Sequence, residues 1–463
     1  MKENDDRRIL SVAMTGSIAS RLRDHLIADP AQEHVCMATY AISTGARRTT
    51  YLLDELVLPG DGDVELHGNA TIHGDFVMRG ADRAADRGRG LALLHSHPTA
   101  SGWQAMSPWD AEAERDYANL AREVTDLPLL GLTMAGDGAL SARAWDRGVG
   151  RDVRSTDVES VRIVDPNIDV TYHPDLRPVP AVQNTQFRTV TAWGAEVQGV
   201  LSRLRVLVVG VGSVGLDVAL RLAASGVGHL GQMDPDIVTY INRDRMIGAT
   251  ADDARSGTPK VEVARRQAML AATSAAPTVE PHRLSVCTPE GLATALDYDV
   301  IFSCVDRPWP RSVLNQLAYT DLIPVIDGGI GIDVFDTSRM RQATWRAQVV
   351  RPGRRCLTCT GQLKPALVSA DKEGLLDDPE YIRTLDASDV PGAPNTALLS
   401  ASVSAMQLAQ FVSYFAAPGG ETDGGPLRYS LSDHHLDRVN LHDGHCDIEH
   451  TMLAVGDERY ALL

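Results

Sequence analysis

An α/β chain of two modules is predicted by three features of the sequence. The first is a strand, turn and helix over residues 205–224, in which Gly210, Gly212 and Gly215 stand in G-x-G-x-x-G register, the arrangement of a Rossmann-like phosphate turn. The second is an apolar run ending in His95-Ser96-His97-Pro98, followed by a helix start at Ser107-Pro108-Trp109-Asp110. The third is the stretch between them, residues 166–186, rich in Pro and Asn and without periodicity, which reads as a linker. The boundaries that follow are 1–165, 166–186 and 187–463. With 463 residues, each module is long enough to bury its own core.

Composition narrows the partners. Forty-four Lys and Arg against sixty-one Asp and Glu leave a net charge of −17, which argues against nucleic acid and anionic membrane. Solubility is sufficient reason for that acidity. Six cysteines, two of them in Cys356-x-x-Cys359, do not form a disulfide pattern and suit a reducing cytoplasm. Arg7-Arg8 ahead of residues 9–20 has a trace of a signal peptide, but Asp5 and Asp6 precede it and polar residues interrupt the apolar part, so a first amphipathic helix is expected there. Residues 397–417 are the longest apolar stretch; their serines with Gln407 and Gln410 predict a buried helix rather than a membrane span.

In the N-terminal module, Glu33 stands just ahead of an apolar strand ending near Thr39, and Gly90–Leu94 leads into the two histidines. On a strand the period of two puts both imidazoles on one face, and Pro98 ends the pairing after them. Two neutral imidazoles side by side are half a zinc site. Ser107 is a natural N-cap, Pro108 suits the first helical position and Asp110 the first turn, with the helix running through Val124. Taken alone, Ser107 and Asp110 could be only a cap and the histidines incidental. Residues 127–135 and 139–145 flank Gly136-Asp137-Gly138, a hairpin signal.

This H-x-H-P…S-x-x-D pattern resembles the JAMM (Mov34/MPN, prokaryotic JAB) metallopeptidases, over roughly residues 10–150. The resemblance implies a JAB/MPN α-β-α domain in which His95, His97 and Asp110 bind Zn²⁺, Ser107 helps stabilise the oxyanion, and Glu33 takes the proton from water, with Glu55 as the competing base. Twelve residues separate His97 from Asp110, two more than the commonest family spacing, so the intervening loop must bulge. Three protein ligands leave one coordination position open, as catalytic zinc requires.

In the C-terminal module, Val206–Val209 is a short β-branched strand, the glycine turn follows, and Leu216–Ala224 has helical spacing. Unpaired N–H groups at such a helix start, with the positive end of its dipole, accept phosphate. A second strand, Gly228–Met233, ends in Asp234, placed to take ribose hydroxyls. To this point NAD fits as well as ATP. Asn242, Arg243, Arg245 and Lys260, with Asp306 closing the strand 299–305, exceed what a pyrophosphate needs and match a triphosphate with one carboxylate for Mg²⁺.

Asp234-x-Asp236, Asn242-x-x-Arg245, Lys260 and Asp306, as an ordered set, resemble the adenylyltransferases of the ThiF, MoeB and ubiquitin-activating-enzyme family from about Phe187 to the C-terminus. The resemblance implies that Asp234 holds the ribose, that Asn242, Arg245 and Lys260 hold the phosphates, and that Asp306 coordinates Mg²⁺. It also implies that Arg188, in Phe187-Arg188 ahead of Trp193-Gly194, reaches the triphosphate of a neighbouring subunit in a homodimer. Ser213 stands where the family usually has a further glycine. Cys356 and Cys359 correspond to half of a structural zinc site, which Cys446 and His450 could complete; one of the cysteines could instead be a nucleophile forming a thioester. Cys304, in an apolar run, reads as core.

The combined expectation is a cytoplasmic enzyme that adenylates the C-terminus of a ubiquitin-like protein with ATP and Mg²⁺, and trims or releases the same carrier with a zinc isopeptidase module. A conjugating-enzyme-like protein is a further expected partner. The alternatives are sulfur-carrier activation in thiamin- or molybdopterin-type cofactor biosynthesis, a NAD(P)-binding oxidoreductase, and a non-catalytic scaffold.

Overall fold

The computed structural model describes residues 8–147, 152–335, 339–385, 394–420, 425–438 and 446–459. The chain divides into two compact units, one comprising residues up to Pro178 together with Leu453–Arg459, the other comprising Val179–Met452.

The first unit is a mixed sheet of β1 (Ile9–Thr15), β2 (Val35–Thr44), β3 (Arg48–Val57), β6 (Gly90–His97), β7 (Leu129–Ala135), β8 (Leu140–Arg147), β9 (Val153–Asp157), β10 (Ser160–Val164) and β11 (Ile168–Tyr172), in the order β11-β10-β1-β3-β2-β6-β7-β8-β9. A separate hairpin, β4 (Val64–His67) and β5 (Asn69–Ile72), pairs antiparallel. Helix α1 (Gly16–Leu26) contributes Ile18, Leu22 and Leu26 to a core with Ala92 and Leu94. Helices α2 (Gly74–Ala85) and α3 (Pro108–Thr125) contribute Phe76, Val77, Ala118 and Ala121 to a second core with Leu91 and Leu93. Strand alternation therefore sends Leu91, Leu93, His95 and His97 toward the α2 and α3 side.

Two expectations are corrected here. Residues 9–15 are strand β1, not helix: five of its seven residues are buried, between β10 and β3, and a continuous apolar run suits a central strand better than a one-sided helix. The helix begins at Gly16, capped by Thr15, whose hydroxyl accepts the Ile18 N–H at 3.4 Å. Within 166–186, Ile168–Tyr172 form β11 on the edge of the sheet, with Ile168, Val170 and Tyr172 buried. Flanking Pro and Asn had hidden that alternation.

Segment Leu453–Arg459 belongs to the first unit. The Asp457 carboxylate accepts the Thr44 N–H at 2.9 Å and its hydroxyl at 2.6 Å, and Glu458 pairs with Arg89.

The second unit is built on α4 (Phe187–Arg203), β12 (Arg205–Val209), α5 (Ser213–Ala224), β13 (His229–Met233), α6 (Ala251–Ser256), α7 (Lys260–Ala271), β14 (Thr278–His282), α8 (Pro289–Ala295), β15 (Val300–Ser303) and α9 (Pro308–Thr320). It continues through β16 (Val325–Phe335), β17 (Arg339–Val350), α10 (Pro365–Lys372), α11 (Pro379–Ile382), α12 (Ala397–Ala416), β18 (Leu427–Ser430), β19 (His435–Arg438) and α13 (Asp447–Met452). Sheet order is β14-β13-β12-β15-β16-β17-β18-β19, parallel through β16 and antiparallel beyond. The order reverses between β12 and β15, and the crevice at the carboxyl ends of such strands is where this architecture binds ligands.

Helix α12 is buried along one side by Val403, Phe411, Tyr414 and Phe415. Its Gln407 amide donates to the carbonyls of Ser303 and Ile326 at 3.1 and 2.9 Å, which accounts for glutamine in an apolar stretch. Among the described residues no helix is long and apolar enough to cross a membrane.

Candidate functional site

In the second unit, Gly210 follows β12 with φ of 84°. A Cβ on Gly210 would lie 2.7 Å from the Cys304 carbonyl oxygen, and one on Gly215 would lie 1.8 Å from the Gly210 carbonyl oxygen. Glycine thus lets the turn close against both the next strand and its own helix. Gly212 differs: a Cβ there meets nothing within 4 Å. It is the N-cap of α5 and has no side chain to cap the helix, so the first-turn N–H groups border open space.

Asp234 is buried and ties the turn to the second strand. One carboxylate oxygen accepts the Val211 N–H at 2.9 Å and the other accepts the Asp236 N–H at 2.9 Å. Burial raises its carboxyl above the ordinary value, with Lys260 opposing the rise. Lys260, at the start of α7, places its Nζ 2.7 Å from Asp236. Burial works against its charge, but Asp234, Asp236 and Asp306 together hold its pKa above the ordinary lysine value. Asp306 is exposed in the loop after β15. Asp234, Lys260 and Asp306 therefore share one electrostatic neighbourhood at the switch point.

The other predicted phosphate ligands are differently engaged. The Asn242 side-chain oxygen accepts both the N–H and the hydroxyl of Thr239 at 2.9 Å, so it fixes a local turn. Arg245 donates to the Ile241 carbonyl at 2.6 Å and to Asp244 at 2.8 Å; the adjacent carboxylate competes for the guanidinium. Arg188 is exposed in the first turn of α4.

Arg311 was not foreseen. It donates to the buried Asp327 at 3.1 Å and to the Val305 carbonyl at 2.5 Å, fixing the residue beside Asp306. Asp327 also takes Arg346 and Ser303, so it balances the charge that would otherwise be stranded. The signal available in the sequence was Arg311 one turn into α9 and Asp327 on the next strand. Cys304 is partly exposed, with Sγ 3.6 Å from the Gln407 side-chain oxygen.

Cys356, Cys359 and Cys446 bring their sulfurs within 4.8 Å of one another. A hydrogen bond with Cys446 lowers the Cys356 thiol to about 7, and burial raises that of Cys359. The expected fourth ligand is corrected: His450 is exposed one turn along α13 and is not part of this group. Gly444 and His445 lie outside the described residues.

In the first unit, β6 ends with His95 and His97 on the face toward α3, their ring centroids 5.0 Å apart. Ser107 and Asp110 form a reciprocal capping box, with Oγ to N and N to Oδ2 distances both 3.2 Å. The cap directs the Asp110 carboxylate to 3.8 Å from the Nε2 of each histidine. Donor atoms of His95, His97 and Asp110 all lie within 4.8 Å of one another. Burial lowers His95 to about 3, so its imidazole is neutral. His97 beside Asp110 holds that carboxyl well below the usual range. Neutral imidazole and ionised carboxylate are the forms a divalent metal takes, so these residues fit Zn²⁺.

Glu33 lies where β2 and β6 run on from the Val35–His95 pair. Burial raises its carboxyl, His97 opposing and Asp110 adding, so its charge is felt by the same cluster. Glu55, the competing base, is instead held by Arg83 at 2.9 Å and by Arg87.

A doubly wound sheet, parallel through β16, with an uncapped helix start at its switch point, a buried acid after the second strand and a lysine beyond it, defines an α/β protein of Rossmann-like fold. Residues 184–447, more than half of the chain, match the ThiF family, and the chain belongs to it. It is 34% identical over 125 residues to the adenylyltransferase and sulfurtransferase uba4 of Aspergillus fumigatus, covering 27% of this chain and 24% of that protein. It is 32% identical over 169 residues to the molybdopterin-synthase adenylyltransferase of Salmonella typhimurium, covering 35% and 66%. To the SAMP-activating enzyme E1 of Haloferax volcanii it is 34% identical over 137 residues, covering 30% and 49%. The chain thus spans about a quarter of the length of the first of these relatives. The crystal structure of E. coli MccB with ATP aligns at a TM-score of 0.44 and 19% identity, over 58% of this chain and 76% of that one.

Proposed function

We propose that the second unit uses MgATP to adenylate the C-terminal carboxylate of a small ubiquitin-like or sulfur-carrier protein. The observation that carries this is the open N-terminus of α5 beside Gly212, within the neighbourhood of Asp234, Lys260 and Asp306. The names of two relatives, a molybdopterin-synthase adenylyltransferase and a SAMP-activating enzyme E1, favour the same chemistry. The carboxylate attacks the α-phosphate, an acyl-adenylate forms and pyrophosphate leaves. Helix N–H groups and Lys260 meet the phosphate charge, Asp234 receives ribose hydroxyls, and Asp306 would hold Mg²⁺. Arg245 joins them once phosphate displaces Asp244, and Arg188 acts on a partner subunit's nucleotide in a homodimer. The test is carrier-dependent ATP–pyrophosphate exchange, read with intact mass of the carrier. An adenylate on the carrier is expected; NAD(H) binding with no exchange in the presence of either carrier class overturns the reading.

A second activity is favoured by the His95, His97 and Asp110 cluster, with Glu33 electrostatically coupled to it. We propose that the first unit is a JAMM-like amidase acting at the carrier's C-terminus. The three residues would hold Zn²⁺, which supplies a water of lowered pKa and polarises a carbonyl. Glu33 holds the proton taken from water and delivers it to the leaving amine, and Ser107 would meet the carbonyl oxygen. The cysteine group is proposed as a separate structural zinc site. The test is zinc content together with cleavage of a carrier fusion. Cleavage lost in Glu33→Gln with zinc retained supports the proposal, and equal cleavage by wild type and Glu33→Gln refutes it.

A further inference from the structure

The twelve residues between His97 and Asp110 form a loop for which the amidase reading has so far given no use. The turn between β7 and β8 holds this loop against the end of β6. The Gly136 N–H donates to the carbonyls of His97 and Ala100 at 3.1 and 2.9 Å. One Asp137 carboxylate oxygen accepts the Gly102 N–H at 2.8 Å, and the other accepts the Ala139 N–H at 3.0 Å. A Cβ on Gly136 would lie 2.0 Å from the Pro98 carbonyl oxygen, so only glycine lets the loop pass this close.

The held loop carries Gln104, which is half-buried. Its amide nitrogen donates to the Ser101 carbonyl at 2.9 Å and to the Gly102 carbonyl at 3.0 Å. A primary amide has two N–H donors and an oxygen that only accepts. Both donors are engaged by backbone carbonyls, and the opposite orientation would set the amide oxygen against two other oxygens, so the network fixes which way the group points. Oε1 is therefore the atom offered to His97, at 3.4 Å from Nδ1. The other ring nitrogen, Nε2, is the one that lies 3.8 Å from the Asp110 carboxylate. An acceptor at Nδ1 keeps a proton on that nitrogen, and the lone pair of the neutral ring is then on Nε2, inside the cluster.

We propose that Gln104 is a positioning residue, which accepts the Nδ1 proton of His97 and so makes Nε2 the nitrogen that binds the metal. The proposal rests on the metal reading of the cluster. Outer partners in this role fix the tautomer and the ring orientation of a ligating histidine, and their loss weakens metal binding by about 10–100-fold.

The test uses the full-length protein loaded with zinc and labelled with ¹⁵N-histidine. Nitrogen shifts report which ring nitrogen of His97 is protonated and which is metal-bound, the signals being assigned by their loss in His97→Asn; chelator competition reports zinc affinity. Cobalt substitution separates this site from the cysteines, since thiolate ligands give intense near-ultraviolet bands that nitrogen and oxygen ligands lack. In wild type, His97 is expected to bind through Nε2 and to keep a slowly exchanging proton on Nδ1. Gln104→Leu, which has no acceptor, is expected to exchange that proton faster and to bind zinc about 10–100-fold more weakly, with the thermal midpoint of the zinc-free protein unchanged. Should Gln104→Leu not fold, Gln104→Asn, whose shorter arm falls short of Nδ1, reads the same quantities. Proton exchange and zinc affinity equal to those of wild type overturn the proposal while leaving the metal reading standing, and so does binding through Nδ1. A wild-type protein whose metal is held by thiolates alone, with His97 unbound, overturns both.

Discussion

Gly212→Ala and Gly215→Ala separate ligand contact from fold within one motif. At Gly212 a methyl group meets nothing within 4 Å, so the folded chain has space for it, but that space is where a phosphate would lie against the first turn of α5. Losing one hydrogen bond to a charged phosphate costs about 1.5–3 kcal/mol, which is about a 10- to 150-fold loss of ATP affinity. At Gly215 the methyl group would sit 1.8 Å from the Gly210 carbonyl oxygen, and backbone cannot yield as a side-chain end can. Overpacking of this kind costs about 1–3 kcal/mol of stability. Calorimetric ATP titration and thermal unfolding of both variants check the pair. Gly212→Ala should bind poorly and melt like wild type, whereas Gly215→Ala should melt early. Wild-type ATP affinity in Gly212→Ala would show that the helix start is not a phosphate site.

Three further predictions follow from the same geometry. Replacing Lys260 by Met should cut pyrophosphate exchange by about 10²–10³ with the far-ultraviolet spectrum unchanged; near-normal exchange would remove Lys260 from the reaction. Asp234 has a raised pKa, so the folded chain takes up its proton more readily than the unfolded one and this group favours folding as pH falls. The ionised oxygen offered to ribose disappears over the same interval, above the ordinary aspartate value of about 3.9. ATP affinity should therefore fall toward that of Asp234→Asn as the pH is lowered, beginning above the ordinary aspartate range, and parallel profiles for the two proteins would contradict this. Zinc chelation, or Cys356→Ser, should lower the unfolding midpoint of the second unit by about 5 °C or more, each 1 kcal/mol being worth about 2–4 °C at this size; no change means the cysteines hold no structural metal.

Legibility in the sequence depended on how local the constraint was. The glycine turn and the paired histidines were readable because backbone sterics and strand period act within a few residues. The strand β1 was misjudged as helix because a short apolar run has no period to separate the two. Arg245 was assigned by motif, but Asp244, its immediate neighbour, holds its guanidinium. Gln104 meets His97 only because the turn between β7 and β8 holds the intervening loop, information no single stretch contains. His450 failed for the opposite reason: its nearness to Cys446 in sequence is not nearness of its ring to the sulfurs.

The return of Leu453–Arg459 to the first unit bears on biosynthesis. A ribosome releases the amino half of this polypeptide long before it makes Asp457 and Glu458, so that half waits for these hydrogen bonds until the second unit has been translated. A fragment cut at Pro178 would reproduce the waiting intermediate rather than the finished unit. Supplying Leu453–Arg459 by a short fusion is the way to obtain the histidine cluster in isolation.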